Sequence, residues 1–207
     1  MSKEKNEIRS SILCKLLLVR HGQTTFNKEG RFYGRLDAPL TPLGEAQAAA
    51  LSERLTKWQL DAAISSPLSR AYRTGEIALA NHPLSIETDD LLVEMDHGRW
   101  EGILFAEARK LDPVAWDLWR AGKLENPHGG ETLPDVFKRA ETWLAKVHAQ
   151  YRNGETIAVF AHGGLLQALT CVLMGTPPRP LWQYRYSNCA IAEIEVYPIG
   201  GVLVSLG

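Results

Sequence analysis

The sequence has 207 residues, of which 45% are hydrophobic and 23% are charged, so one globular domain with a sizeable core is the natural expectation. Its 23 basic and 24 acidic residues give a formal charge of −1, which excludes a global positive field that could hold nucleic acid or an anionic membrane. We therefore expect neither nucleic acid nor a membrane as partner, and any anion site has to be built locally.

The start of the chain and its cysteines indicate a cytoplasmic protein. Residues 1–11 are polar and predict a flexible leader, and Lys15 interrupts the only apolar stretch that could serve a signal peptide. Cys14, Cys171 and Cys189 are odd in number and lack C-x-x-C spacing, which favours a reducing compartment. No apolar run approaches the roughly 18 residues that a membrane span needs. We expect a single domain over residues 12–207.

Short apolar runs alternate with helical patterns in the first half of the chain. Residues 15–19, KLLLV, predict a strand buried on both faces. A polar loop follows, and Thr41 is the expected N-cap of a helix with Pro42 at its first position. Residues 61–66 predict a second buried strand, and the segment LSRAYRTGEIALA after Pro67 predicts a helix.

The second half continues this alternation. The segment LLVEMDHGRWEG predicts the end of a strand followed by a loop, and helical patterns broken by prolines predict a helical cap region at about residues 100–130. A long helix is expected from Thr132 to about His148, a strand over 155–164, a helix closed by Gly175, and two terminal strands joined by a Pro-Ile-Gly-Gly turn. We predict an α/β fold, a three-layer sandwich with a mostly parallel sheet and helices on both faces.

Polar side chains come directly after the predicted strands. His21 follows the first strand and His162 follows the strand at 156–161, so both are expected at the ligand-binding edge of a parallel sheet. Gly22 allows the chain to turn so that Arg20 and His21 face the same ligand. Gly163 and the glycine after it are expected to leave backbone N–H groups open at a helix start, which favours an anion.

Two further junctions add charged candidates to the same edge. The segment SSPLSRAYRTGE supplies Arg70 or Arg73, and the predicted fourth strand end supplies Glu94. Taken singly, each of these residues is ordinary for a protein surface or core. A metal site is disfavoured because there is no H-x-H or H-E-x-x-H spacing, and the Arg20 charge would repel a cation. We therefore expect neither a metal ion nor a cofactor.

Four motifs in order, RHGQTTFN, SSPLSRAYRTGE, EMDHGRWEG and AHGG, resemble the histidine phosphatase superfamily, also called phosphoglycerate mutase-like, over about residues 15–196. The resemblance implies that His21 is the nucleophile and forms a phosphohistidine, and that Glu94 is the proton donor. It also implies roles in binding phosphate or substrate for the residues Arg20, Arg70, His162, Asn27, Tyr33 and Gly34, beside the anion seat at Gly163. His97 either lines the leaving-group side of the pocket or caps its loop.

Membership in that family leaves the reaction open. The segment after Glu94 is compact and rich in tryptophan, more similar to the small phosphatase branch that includes α-ribazole phosphatase than to the mutases. The leading hypothesis is a metal-independent phosphatase for a small phosphomonoester, such as α-ribazole 5′-phosphate or a sugar phosphate. A phosphoglycerate mutase and an inactive phospholigand-binding module are the alternatives, and pairing of a free sheet edge would give a homodimer. The residues Trp100, Trp116 and Trp119 either stack on a nucleoside-like base or belong to the core.

Overall fold

The computed structural model describes residues 12–121, 123, 129–177 and 183–207. The leader predicted over residues 1–11 lies outside the described residues, as do residue 122 and residues 124–128 of the predicted cap region. Within the described ranges, no helix is both long enough and apolar enough to cross a membrane.

Six strands form one mixed sheet in the spatial order β3-β2-β4-β1-β5-β6. The pairs β1–β4, β2–β4 and β2–β3 are parallel, whereas β1–β5 and β5–β6 are antiparallel. The strands are β1 (Cys14–Arg20), β2 (Ala62–Ser65), β3 (Ile86–Thr88), β4 (Glu155–Ala161), β5 (Ile191–Val196) and β6 (Gly201–Leu206). The parallel core makes the carboxyl ends of β1, β2 and β4 meet at one edge, as expected for an α/β ligand site.

Seven α-helices are described: α1 (Thr25–Glu29), α2 (Pro42–Leu55), α3 (Ser69–Ala78), α4 (Phe105–Leu111), α5 (Pro113–Arg120), α6 (Leu133–Gln150) and α7 (Gly163–Leu173). The predicted N-cap of α2 is confirmed, since the Thr41 side chain accepts a hydrogen bond from the backbone of Gly44. At the start of α6, the side chains of Thr132 and Asp135 each accept a hydrogen bond from the backbone N–H of the other residue. These caps satisfy N–H groups that the first helical turn leaves without partners.

Alternate residues of β1 are buried against helices on opposite faces of the sheet. Leu16 and Leu18 pack with residues of α6 and α7 on one face of the sheet. Leu17 and Val19 pack with residues of α2 and α3 on the other face. Because successive strand residues point to opposite faces, an uninterrupted apolar strand requires helices on both sides. The predicted three-layer architecture is confirmed.

Two local predictions were wrong. A short helix, α1, stands where a loop was expected, because Thr24 and Asn27 form a reciprocal capping box at its start. The segment before Glu94 was predicted as the end of a strand. It is a 3-10 helix, Asp90–Leu92, and strand β3 has already ended at Thr88. Leu92 is fully buried in the cluster built around α6 and α7, so this run is apolar because it packs under helices and not because it joins the sheet.

Candidate active site

A cavity of about 780 Å³ opens at the carboxyl ends of β1 and β4. Eight of the ten residues predicted for the site line it: Arg20, His21, Asn27, Tyr33, Arg70, Glu94, His97 and Gly163. His162 and Gly34 are absent from the described wall of the cavity, and both hold Arg70 from behind. The predicted residues therefore lie together, eight of them in the wall of one cavity and two directly behind Arg70.

His21 is held in one tautomer by the backbone. Its Nδ1 lies 2.7 Å from the carbonyl oxygen of Gly22, and a carbonyl only accepts, so Nδ1 carries the proton of the neutral ring. Burial lowers the pKa of His21 well below its usual value, and the charges of Arg20 and Arg70 lower that pKa further. The neutral ring consequently presents an unprotonated Nε2.

Gly22 makes the turn after β1 possible. A Cβ at this position would lie 2.5 Å from the carbonyl oxygen of Gly44, so only glycine fits against the start of α2. The Gly22 N–H donates to the hydroxyl of Thr74 on α3 at 3.0 Å. The turn that brings His21 and Arg20 to one cavity is therefore fixed by two helices.

Arg20 has donors left for a ligand. One Nη1 hydrogen bond goes to the carbonyl of Tyr186 at 2.7 Å. Its Nε is buried and has no hydrogen-bond partner within the part of the chain that the structure describes. A Cβ on Gly163 would come to 3.5 Å from that Nε, so the guanidinium lies directly over the start of α7. An unpartnered buried donor beside a cavity points to an anionic ligand.

Arg70 is almost fully committed to the protein. It is 1% exposed, and four of its five N–H groups donate to Nδ1 of His162, Oδ1 of Asp37 and the carbonyls of Leu36 and Gly34. One N–H on Nη2 remains for a ligand. The alternative candidate from the same motif, Arg73, is paired with Glu76 at the surface. The structure thus selects Arg70 for the site.

His162 supports Arg70 from below the cavity. Its Nδ1 accepts from Arg70 at 3.2 Å, so the neutral ring carries its proton on Nε2, which lies 2.8 Å from the hydroxyl of Ser66. Burial lowers the pKa of His162 well below its usual value, with further lowering by Arg70 and His21. Both ring nitrogens are thus engaged by protein atoms.

Glu94 occupies the helix start where open amides were expected. Its Oε2 accepts from the N–H of Gly164 at 2.9 Å, and its Oε1 accepts from the N–H groups of Leu165 at 3.0 Å and Met95 at 2.9 Å. The expectation that the amide after Gly163 is free for a ligand anion was therefore wrong. A Cβ on Gly164 would lie 2.6 Å from Oε1 of Glu94, so glycine is needed for this approach.

Asn27 and Tyr33 complete the wall near α1. The Asn27 Oδ1 accepts from the N–H of Thr24 and from Nδ2 of Asn188, which leaves the Nδ2 group of Asn27 as its donor toward the cavity. The Tyr33 ring lies under the Arg70 guanidinium, with 4.6 Å between Cζ and the ring centroid.

His97 lines the cavity and also precedes the 3-10 helix Gly98–Trp100, for which its side chain makes no capping hydrogen bond. Its ring packs edge-on against Phe32, with the centroids 5.3 Å apart, and its Nδ1 is buried with no hydrogen-bond partner among the described residues. Burial lowers the pKa of His97 from its usual value, although the nearby carboxylates of Glu94 and Glu101 oppose that shift.

The tryptophans divide between core and cavity. Trp100 is 3% exposed and belongs to a cluster around Phe32, as the core interpretation predicts. Trp116 and Trp119 pack on that cluster and also line the cavity. The same wall carries Arg120 and Arg185, for which the described residues offer no hydrogen-bond or salt-bridge partner, so the outer cavity is aromatic and cationic.

Several residues that hold the site together were not predicted from the sequence. The Glu101 carboxylate accepts N–H bonds from Gly34, Arg35 and Leu36 at 3.1, 2.8 and 2.6 Å, and so holds the loop whose carbonyls bind Arg70. Arg139 and Glu131 contact the segment around Glu94. These residues act on backbone atoms, for which sequence spacing gives no signal.

Within the described part of the chain, no group of three or more His, Cys, Asp or Glu side chains could hold a metal ion. The charges that face the cavity around His21 are those of arginines and one glutamate. Arginine forks suit the oxygens of a phosphate group, which they contact with two parallel N–H bonds. What the arrangement can do chemically is bind a phosphoryl group beside an unprotonated imidazole nitrogen.

Comparisons with known proteins agree with this arrangement. Residues 16–207 match the histidine phosphatase superfamily (branch 1). Phosphoserine phosphatase 1 of Hydrogenobacter thermophilus is 34% identical over 200 residues, which cover 94% of this chain and 92% of the relative. Glucosyl-3-phosphoglycerate phosphatase of Mycolicibacterium vanbaalenii is 37% identical over 172 residues, 79% of this chain and 75% of the relative. The crystal structure of a putative α-ribazole-5′-P phosphatase from Escherichia coli superposes with a TM-score of 0.84 at 28% identity, covering 94% of this chain and 96% of the other.

Proposed function

The chain belongs to the histidine phosphatase superfamily, and on that premise we propose that it is a metal-independent phosphatase that hydrolyses small-molecule phosphomonoesters. The observation that carries the proposal is the hydrogen bond of 2.7 Å between Nδ1 of His21 and the carbonyl of Gly22. This bond, together with the lowered pKa of His21, supplies an unprotonated Nε2 at the cavity wall at neutral pH.

In the first step, the Nε2 lone pair of His21 attacks phosphorus and the ester P–O bond breaks. The departing oxygen takes a proton from Glu94, and the phosphoryl group stays on Nε2 as a phosphohistidine. In the second step, water attacks that phosphorus, the N–P bond breaks, and Glu94 takes the proton of the water. General acid–base catalysis of this kind contributes about 10²–10⁴ in rate.

The hydrogen bonds of Glu94 indicate which oxygen carries the proton. Oε1 accepts two backbone N–H bonds, whereas Oε2 accepts one, so Oε2 retains an unoccupied lone pair. A proton on that lone pair leaves all three backbone bonds intact. Glu94 can therefore donate and recover a proton without leaving the helix start.

The cationic groups of the site replace a metal ion in this mechanism. Arg20, whose Nε has no partner among the described residues, Arg70, with one N–H left, and the amide-bearing Asn27 line the same cavity as His21. Donors fixed in advance stabilise charge that develops on the phosphoryl oxygens without reorganising during the reaction.

The substrate is proposed to carry its phosphate toward His21 and its remaining part toward the outer cavity. The rings of Trp116 and Trp119 favour a sugar or nucleoside-like portion, as in α-ribazole 5′-phosphate or a sugar phosphate. Arg120 and Arg185 favour a second anionic group, as in phosphoserine. A panel of these esters, compared by kcat/KM, shows whether the tryptophan rings or the two arginines contribute more to substrate preference.

We place this activity in the cytoplasm, which is supported by the three cysteines, all of them free and buried. A homodimer through the outer strand β6 is supported by the exposed side chains of Val202 and Val204 on that strand. Sedimentation at several protein concentrations measures the oligomeric state directly.

The activity assay follows release of inorganic phosphate from p-nitrophenyl phosphate in EDTA, with wild type and His21→Ala compared. We expect turnover by the wild type in EDTA and a loss of at least about 10³-fold in the variant. Equal rates for the two proteins would remove His21 from the mechanism, and loss of wild-type activity in EDTA would restore a metal. Rapid isomerisation of phosphoglycerate with negligible phosphate release would identify the mutase alternative, and failure of both reactions the inactive binding module.

A further inference from the structure

Arg139 of α6 makes hydrogen bonds to the backbone on which Glu94 is carried. We propose that Arg139 is a positioning residue for the proton transfer, one that holds the Glu94 carboxyl at the leaving oxygen through main-chain carbonyl groups. The inference rests on the proposed function in one respect, the role of Glu94 as proton donor. It assigns a task to a residue that is not in the described wall of the cavity.

All five N–H groups of Arg139 are accounted for in the structure. Nη1 donates to the carbonyls of Leu91 at 2.9 Å and Val93 at 2.6 Å, and Nη2 donates to the carbonyl of Glu94 at 3.4 Å. Nε and Nη2 donate to the two carboxylate oxygens of Glu131 at 3.0 and 2.9 Å. One guanidinium thus binds three carbonyls of a four-residue segment and is itself oriented by a carboxylate.

Glu131 holds the same segment on its far side. Its Oε2 accepts from the N–H of Asp96 at 2.9 Å, and its own N–H donates to the carbonyl of Asp96 at 3.0 Å. The residues on both sides of Glu94 are therefore attached to one ion pair. That pair is largely buried, with side-chain exposures of 11% for Arg139 and 18% for Glu131.

The role is geometric more than electrostatic. The Glu131 carboxylate, which also pairs with Arg35 at 3.2 Å, opposes the Arg139 charge, although that charge still contributes to the lowered pKa of His162. Lysine at position 139 would keep the charge, but its three donors radiate from a single atom and cannot reproduce the planar fork that binds three carbonyls and a carboxylate. Arg139→Lys therefore separates loss of position from loss of charge.

A displaced Glu94 affects one chemical event, protonation of the leaving oxygen. Leaving groups that are stable as anions can depart without being protonated, whereas alkoxides have to be protonated as they leave. The esters p-nitrophenyl, phenyl and benzyl phosphate share one ring and depart as increasingly basic anions. A defect in Glu94 position should therefore grow along this series, whereas a general structural defect should affect all three esters alike.

The experiment measures kcat/KM of the full chain for these three esters, since that quantity reports the steps up to phosphohistidine formation. Wild type is compared with Glu94→Gln, Arg139→Lys, Glu131→Gln and Lys146→Met. Lys146 is the matched control. It lies on the same helix as Arg139 and pairs with Asp89, but it makes no hydrogen bond to the carbonyls that Arg139 binds. Ratios between esters do not depend on the folded fraction of a preparation, so partial unfolding of a variant does not obscure the result.

We expect Glu94→Gln to lose about 10²-fold or more on benzyl phosphate relative to p-nitrophenyl phosphate. Arg139→Lys should lose about 10-fold in the same ratio, since sub-ångström displacements cost less than removal of the group. Glu131→Gln should change it in the same direction by a smaller factor, and Lys146→Met should leave it unchanged. A uniform loss across the series in Arg139→Lys would overturn the inference.

The remaining outcomes identify which part of the account fails. If Glu94→Gln shows no dependence on the leaving group, Glu94 is not the acid and the inference falls with that role. If wild type hydrolyses none of the three esters, the proposed function is wrong for this class of substrate. If Arg139→Lys cannot be purified, an unchanged ratio in Glu131→Gln overturns the inference, and a shifted ratio supports it.

Discussion

The guanidinium of Arg70 donates its Nε–H to Nδ1 of His162 at 3.2 Å, beneath the floor of the cavity. This bond determines the tautomer of His162 and directs its Nε2–H to Ser66. Arg70 in turn is held by three oxygens of the loop 34–37. The anion site is therefore preorganised, since its cation does not have to move when a phosphate arrives.

Arg70→Lys should reduce kcat/KM for p-nitrophenyl phosphate by about 10²–10³-fold, because lysine cannot satisfy His162 and the loop carbonyls together. Arg73→Lys, one turn further along α3 and exposed, is the matched control and should keep wild-type activity. Steady-state kinetics on both variants make the comparison. Similar rates for the two variants would show that Arg70 does not contribute to phosphate binding or turnover.

Gly164→Ala should lower turnover by displacing Glu94, because its Cβ would lie 2.6 Å from Oε1 of that residue. Gly163→Ala, in which the new Cβ makes an ordinary contact of 3.5 Å with Arg20, should cost less. We expect the first substitution to reduce kcat/KM for benzyl phosphate at least about 10-fold more than the second. The reverse order in the same assay would contradict the placement of Glu94 at the start of α7.

The buried histidines predict how stability depends on pH. Folding lowers the pKa of His21 and His162 well below 6.5, so below that pH the unfolded chain binds protons that the folded chain does not. The free energy of unfolding should therefore fall as pH decreases from about 6.5, by up to about 1.4 kcal/mol per pH unit for each such histidine. The effect is half of its maximum at pH 6.5 and vanishes about one unit higher, where both states are neutral at these residues.

His21→Asn tests this assignment, because the asparagine amide can still donate to the carbonyl of Gly22 but carries no titrating group. Urea unfolding at pH 5.5, 6.0, 6.5 and 7.5 measures the slope of the unfolding free energy. We expect a shallower slope in the variant between pH 5.5 and 6.5, and a difference between the two proteins that shrinks toward pH 7.5. An identical slope in both proteins would mean that His21 is not buried in its neutral form.

The sequence predicted the sheet and most of the site for a physical reason. Apolar strands that end on Arg20, His21 and His162 have to meet at one edge, because the strands β1 and β4 are parallel neighbours. Glu94 was predicted for the site as well, but at the end of a strand, where the structure has no strand among the residues that directly precede it. The segment before it is the 3-10 helix Asp90–Leu92, of which Leu92 is buried in the cluster around α6 and α7.

The supporting residues could not be predicted in the same way. Arg139 and Glu101 bind backbone carbonyl and N–H groups, which every residue possesses, so no residue type at a fixed spacing marks their partners. Whether the amides at the start of α7 are free or bound to Glu94 also depends on loop conformation. These contacts exist only once the cap helices and the sheet are packed.

The most direct test of the account is to trap the phosphoenzyme. Wild type and His21→Asn are mixed with a labelled phosphomonoester, quenched in base within milliseconds, and the bound phosphoryl group is identified by phosphorus NMR and peptide mass spectrometry. We expect a phosphohistidine at His21 with phosphorus on Nε2, because Nδ1 donates to the carbonyl of Gly22. The variant lacks the imidazole and should carry no label. Label on Nδ1 or on another residue, or a burst of phosphate with no trapped intermediate, would contradict it.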